Sequence, residues 1–143
     1  MDFEKRKFEV MDLLRDADLL ESFDILEDDK QALLLRTYQQ IDESKAHCII
    51  SIIMSNDSAY SLIYYIFAKL AECDKKASII EFLNNLNNNN VLMKYYIDDE
   101  NHIVGNINYI GLDKNFNSSE FVSLMEIGFS EIIDTYAKIN KLI

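Results

Sequence analysis

The 143-residue chain has no proline, no tryptophan, three glycines, two cysteines and two histidines. These shortages exclude several kinds of chemistry. Gly105, Gly111 and Gly128 stand in no phosphate-cradling loop, so a P-loop or a Rossmann turn is ruled out. No GxSxG nucleophile elbow is present. Cys48 and Cys73 lie 25 residues apart, without a CxxC and without a ligand set at metal spacing. They read as reduced, packed thiols of a cytoplasmic protein. The opening MDFEKRKFEV has no apolar stretch of the kind a secretory signal needs. No apolar run approaches the roughly 20 residues of a membrane-spanning helix. The best candidate, CIISIIM, stops at Ser55, Asn56 and Asp57.

Basic residues are also scarce. Lys and Arg total 14 against 25 Asp and Glu, a formal charge of −11. That balance argues against nucleic acid, whose phosphates reward lysine and arginine. It argues equally against an anionic membrane surface. It fits a soluble protein, a basic partner or a mimic of DNA. Hydrophobic residues make up 49%, too many for a disordered chain. The length fits one domain. Such a domain buries roughly 68–70% of its unfolded surface, so it needs no metal or disulfide to fold. Eleven of the 14 cations are lysine, and there are 13 asparagines, a bias that resembles codon drift in an AT-rich genome.

Periodicity gives the elements. Residues 2–17 read as an amphipathic helix, with Phe3, Val10, Leu14 and Ala17 on one stripe. Leu19 to Asp29 stays open between helix, strand and loop, and Glu27-Asp28-Asp29 reads as an acidic turn. Three strands follow, at 32–41, 47–55 and 60–70. Their breaks at Asp42-Glu43-Ser44 and Asn56-Asp57-Ser58 are short and polar, as hairpin connections are. A helix over 59–71 is the other reading of that apolar run. Alternation sets Cys48, Ile50, Ile52 and Met54 against Ile49 and Ile53. It likewise sets Leu62, Tyr64 and Ile66 against Ile63, Tyr65 and Phe67. Both faces of these strands are apolar, unlike a sheet with one wet face. A helix of the same chain, or another chain, is expected to cover the second face.

Asp74 is the expected N-cap of a second helix with the stripe Ile79, Leu83 and Leu86. Six asparagines then crowd into residues 84–90. A linker there would leave a C-terminal piece of one hairpin and one helix, marginal alone. The run therefore reads as a helix end, with a left-handed asparagine cap and a short turn at Asn88 to Asn90. A hairpin follows. Met93, Tyr95 and Ile97 share one side of its first strand. Ile103, Ile107 and Tyr109 share one side of its second, with Asn106 and Asn108 opposite. Gly105 inside that strand reads as a bulge or a close helix approach. In the last helix, Asn117 and Glu120 form a capping box, and Phe116 with Phe121 forms a hydrophobic staple. Phe121, Met125, Ile132, Tyr136, Ile139 and Ile143 track its apolar face. The order α-β-β-β-α-β-β-α, with mostly hairpin connections, predicts a single α+β domain over 1–143, with a mostly antiparallel sheet packed by helices.

Leu83-Asn84-Asn85-Leu86-Asn87 resembles the L-N-x-L-N helix end of the YbjN-like family. Tyr95-Tyr96-Ile97-Asp98 and Ile103-Val104 resemble that family's strand, acidic turn and strand. Together with the size, order and acidity, these residues resemble a YbjN-like domain from about Gln31 to the C-terminus. That family shares its fold with the small type III secretion chaperones. The resemblance implies a bacterial protein of that fold with no known catalytic site. It also implies relatives named as sensory transduction regulators, or acting as acidic homodimers that hold an unfolded segment of a partner.

The residues themselves support little catalysis. His47 and Cys48 are sequence neighbours, so on a strand they point apart and make a poor nucleophile and base. Asp98, Asp99, Glu100 and His102 form a solvated turn, without the glycine of a calcium loop. No catalytic, cofactor or metal residue is assigned. Tyrosine is enriched at interfaces, and Tyr60, Tyr64, Tyr65, Phe67, Tyr95, Tyr96 and Tyr109 are the candidates for a dimer or partner surface. The expected function is a non-enzymatic protein-binding module, chaperone-like or regulatory, acting as a homodimer on a protein or an unfolded segment. An acidic inhibitor, immunity-type protein or DNA mimic is the alternative, and an enzyme with a hidden pocket is a third reading.

Overall fold

The computed structural model describes residues 2–42, 46–71, 73–111 and 114–142, without the side chain of Cys73. Part of the connection read at Asp42-Glu43-Ser44 and the helical position of Ile143 lie outside these residues. Asp2 caps the first helix, its carboxylate accepting the Lys5 N–H at 2.8 Å. Helix α1 spans Phe3–Asp16 and buries Phe3, Val10 and Leu14, while Ala17 falls just outside as its C-cap. Asp18, at φ 59°, turns the chain out of the helix; aspartate tolerates this left-handed region.

The segment left open by periodicity forms a short 3-10 turn, Leu20–Ser22, and an edge strand β1, Asp24–Asp28, with every residue exposed. The acidic turn therefore begins later than expected. Glu27 and Asp28 belong to the strand, and the Asp29 carboxylate accepts the N–H groups of Gln31 and Ala32 at 2.8 and 2.9 Å. Those two bonds hold its carboxyl below the usual aspartate range. Strands β2 (Ala32–Gln40), β3 (His47–Ser55) and β4 (Tyr60–Lys69) then form a meander. The run at 59–71 is thus strand, where β-branched and aromatic residues win.

Helix α2 spans Lys76–Asn89. The expected Asp74 cap is not used: Asp74 sits in a 3-10 turn, Cys73–Lys75, and Lys75 takes the N-cap position without a side-chain bond. Strands β5 (Lys94–Ile97) and β6 (His102–Ile110) form the hairpin, with Asn101 left-handed in its turn. Helix α3 spans Ser118–Leu142. Half of the expected capping box is present, the Glu120 N–H donating to Asn117 Oδ1 at 3.0 Å; the Asn117 N–H donates to the Tyr109 hydroxyl at 3.2 Å in place of the Glu120 side chain. Phe116 and Phe121 meet with ring centroids 5.6 Å apart, which completes the staple.

The six strands form one antiparallel sheet in the order β1-β2-β3-β4-β6-β5. The described residues make a single α+β domain, with β1 as an edge strand beyond the expected order. One sheet face carries the core: Leu33, Leu35, Cys48, Ile50, Ile52, Met54, Ile63 and Tyr65 are buried there. Helix α3 crosses this face over β4 and β6, with α1 packed beside it. Two glycines permit the close approach. A Cβ on Gly105 would stand 3.0 Å from Ile132 Cδ1, and one on Gly128 would fall within 2.8 Å of the Tyr65 ring. Gly105 is therefore a close-approach glycine, under Met93 as well as Ile132 of α3; the strand irregularity lies further along β4, between Ile66 and Ala68, past its partner Tyr65. Over Gly128 the Tyr65 hydroxyl donates to the Met125 carbonyl at 2.6 Å. Burial of the phenol pushes its pKa up.

Candidate binding face

Residues directly opposite each other on paired strands point to the same side. The register therefore writes out the second face of the sheet in cross-strand rows. One row is Glu27, Leu34, Ile53, Leu62 and Asn108. The next is Asp24, Arg36, Ser51, Tyr64, Asn106 and Lys94. The third is Tyr38, Ile49, Ile66, Val104 and Tyr96. Along β2, β3 and β4 these outward positions are only partly buried, whereas the inward ones are closed. Tyr38, Tyr60, Tyr96 and Ile110 at the margins are 53, 50, 41 and 67% exposed. No described helix crosses this face: α3 and α1 take the other one, and α2 takes an edge. Of the two expected covers, a helix of the same chain is absent among the described residues, and the face stands open there.

Its charge differs from that of the rest of the molecule. The chain holds 25 Asp and Glu, yet strands β2 to β6 contain none of them. Asp24 and Glu27 of β1 are the carboxylates in these rows, at one margin. Arg36 lies over the Tyr38 ring, 5.6 Å from its centroid, and its buried Nε has no hydrogen-bond partner. Lys94 lies at the opposite margin, where Nζ donates to the Asn87 and Asn90 carbonyls at 3.2 and 2.9 Å. The face is an apolar centre with few charges.

The seven aromatic candidates divide between the two sides. Tyr60, Tyr64 and Tyr96 belong to the open face. Tyr65, Phe67 and Tyr95 are core residues, 0, 2 and 3% exposed, because neighbours on a strand alternate. Tyr109 also turns inward, half-buried, and its ring meets Phe116 at 5.3 Å and Phe121 at 5.7 Å. The aliphatic half of the face (Leu34, Ile49, Ile53, Leu62 and Ile66) carries no aromatic label in the sequence. Its period-2 alternation with buried residues was the signal that could have included it.

The asparagine run takes a structural place at one sheet edge. Asn87 Oδ1 accepts the Tyr95 N–H at 2.8 Å, and Asn87 Nδ2 donates to the Tyr95 carbonyl at 2.9 Å. Its amide thus pairs with β5 as a further strand would, closing an edge that otherwise presents unpaired groups. Asn90 Oδ1 accepts the N–H groups of Leu92 and Met93 at 2.9 and 3.0 Å, and Nδ2 reaches Glu131 of α3 at 2.6 Å. The helix runs through Asn89, and Asn90 is extended at φ −119°. No left-handed asparagine cap forms there, because the side chain of Asn90 does the turning. Glu131 also accepts from the Tyr95 hydroxyl at 2.5 Å, and Thr135 Oγ1 lies 3.1 Å from the same hydroxyl. Of the motif, Leu83 is buried, Leu86 is half-buried and Asn84 is exposed.

The remaining ionisable candidates lie apart from one another. Cys48 is free and fully buried, and burial pushes its thiol up to about 12. His47, next to it, points to the open side and is exposed. At the β5–β6 turn, Asp98 Oδ2 lies 3.3 Å from His102 Nδ1. Burial alone would raise the Asp98 carboxyl, but the His102 and Glu100 N–H groups outweigh it and hold the pKa down. Among the described residues no three His, Cys, Asp or Glu side chains are placed to hold a metal ion. No described helix is long and apolar enough to cross a membrane. Neither family models, nor curated proteins, nor solved structures gave a match to this chain.

Proposed function

We propose that the chain is a non-enzymatic protein-binding module, chaperone-like or regulatory, whose working surface is the open sheet face. One observation carries the reading: an apolar face centred on Ile49, Ile53, Leu62, Tyr64 and Ile66 has no described segment over it. Contiguous exposed apolar area of this kind marks interaction sites in folded proteins. The low charge of its centre and the tyrosines at its margins match the composition of interface cores. Its occupant is a protein surface, either a second copy or an extended segment of another chain, and the site of action is the cytoplasm. The similarity of Leu83-Asn84-Asn85-Leu86-Asn87 to the YbjN-like helix end adds support from the secretion-chaperone side.

Co-purification from the native host tests this. The tagged wild type is compared with Ile53→Lys/Leu62→Lys, whose outward charges leave the core side untouched. Partners that are retained by wild type and lost by the double variant, with its circular dichroism unchanged, support the reading. Equal recovery of the same partners by both proteins overturns it.

A second reading has one observation in its favour. With β2 to β6 free of carboxylates, the acidic excess gathers on β1 and the turns, while acids and bases nearly balance along the helices. An acidic inhibitor or DNA mimic would use that side, and binding would then survive Ile53→Lys/Leu62→Lys but weaken steeply with salt.

A further inference from the structure

The size of the open face sets what can cover it. Strands rise about 3.3 Å per residue and lie about 4.8 Å apart. Four strands of nine or ten residues and two shorter ones therefore give a face on the order of 700 Å². A standard stable interface takes about 800 Å² from each partner. A single extended peptide crossing the face would leave much of it wet, whereas a second sheet of equal size would cover it. This chain contains such a sheet.

Charge then selects between two stacking geometries. Two copies stacked face to face are related by a two-fold axis lying in the interface. If that axis ran across the strands, each strand would lie on its own copy. Asp24 and Glu27 would then face the partner's same carboxylates. If the axis runs parallel to the strands, between β3 and β4, the order β1-β2-β3-β4-β6-β5 is reversed above itself. β3 then lies over β4 of the other copy, β2 over β6, and β1 over β5. Rows keep their level, so Asp24 stands over Lys94, which shares its row at the far margin. The apolar centres also coincide, with Ile53 over Leu62 and Ile49 over Ile66. Arg36 comes over Asn106, which shares its row.

We propose that the open face is covered by a second copy of this chain, stacked sheet on sheet about a two-fold axis parallel to the strands between β3 and β4. The proposal rests on the reading of this face as the binding surface. The two sheets lie about 10 Å apart, as in a β-sandwich, and the helices of both copies face outward. Each copy thus keeps its helical side free for other contacts.

Sedimentation equilibrium at low salt tests it with five proteins: wild type, Ile53→Lys, Lys94→Glu, Asp24→Lys/Lys94→Glu, and Lys138→Glu. The last makes the same charge change on exposed α3. The expected results are a wild-type dimer that Ile53→Lys dissociates. Lys94→Glu weakens it about tenfold, since two symmetry-related pairs turn repulsive. The double exchange restores opposite charges across the interface and recovers most of the loss, and Lys138→Glu has no comparable effect. A dimer lost in Ile53→Lys but indifferent to the charge exchanges overturns this arrangement and leaves the face as a binding surface. A wild-type monomer at roughly 100 μM, where even a micromolar interface is occupied, overturns the second copy as occupant; the co-purification result then decides the face by itself. A dimer that survives Ile53→Lys overturns both.

Discussion

Replacing Asn87 by alanine separates one asparagine from a run of six. The side chain makes two hydrogen bonds to one residue of β5, at 2.8 Å to the Tyr95 N–H and 2.9 Å to its carbonyl. Alanine leaves both backbone groups without that partner under a partly covered edge. A hydrogen bond contributes about 1 kcal/mol net, and an orphaned group costs about 1–3 kcal/mol. Partial access of water at the edge holds the sum to about 2 kcal/mol. Urea unfolding followed by circular dichroism reads this as a lower midpoint with an unchanged slope. A slope of about 2 kcal/mol per molar urea puts the shift near 1 M. Asn84→Ala and Asn88→Ala, at exposed helix positions, are the controls and stay within about 0.5 kcal/mol. Amide exchange at Tyr95 accelerates in Asn87→Ala and in neither control. If all three variants unfold at the wild-type midpoint, Asn87 does not close the edge.

Two further perturbations probe the core side. Gly128→Ala forces a methyl into the Tyr65 ring and destabilises by about 1–3 kcal/mol, read as a lower urea midpoint. Adding Tyr65→Phe recovers part of that loss by removing the hydroxyl from the contact, and full additivity of the two changes would refute the contact. Cys48 is buried with its thiol pKa raised to about 12, so iodoacetamide labels it at pH 8 only through unfolding. Labelling of Cys48 in the native protein at the rate of a free thiol contradicts the burial.

Much of the sheet was legible because alternation is a strong signal. Cys48, Ile50, Ile52 and Met54 fall inward, with Ile49 and Ile53 outward, and the same holds for Ile63 and Tyr65 against Leu62 and Tyr64. The last helix was legible from its cap and staple. β1 was not, since Asp24 to Asp28 are all exposed and an edge strand with no buried position carries no periodic apolar signal. The two-sided apolar pattern announced a second contact surface but not whether the chain covers it itself. That depends on where α1, α2 and α3 pack, which is a tertiary fact. Tyrosine identity alone also mixed the faces: Tyr64 and Tyr65 are neighbours in sequence, yet one is open and the other is core. The asparagines were alike in sequence. Only the tertiary neighbours of Asn87 and Asn90, Tyr95 and Glu131, give those two separate roles.

The outward positions of β3 and β4 form the centre of the open face, and Tyr64 sits in the middle of them. Tyr64→p-benzoylphenylalanine and Asp134→p-benzoylphenylalanine place the same photo-crosslinker on the open face and on exposed α3. After irradiation in the native host, the expected result is a discrete protein adduct from position 64 and none of that mass from position 134. Absence of an adduct at 64, or the same adduct at both positions, would contradict it.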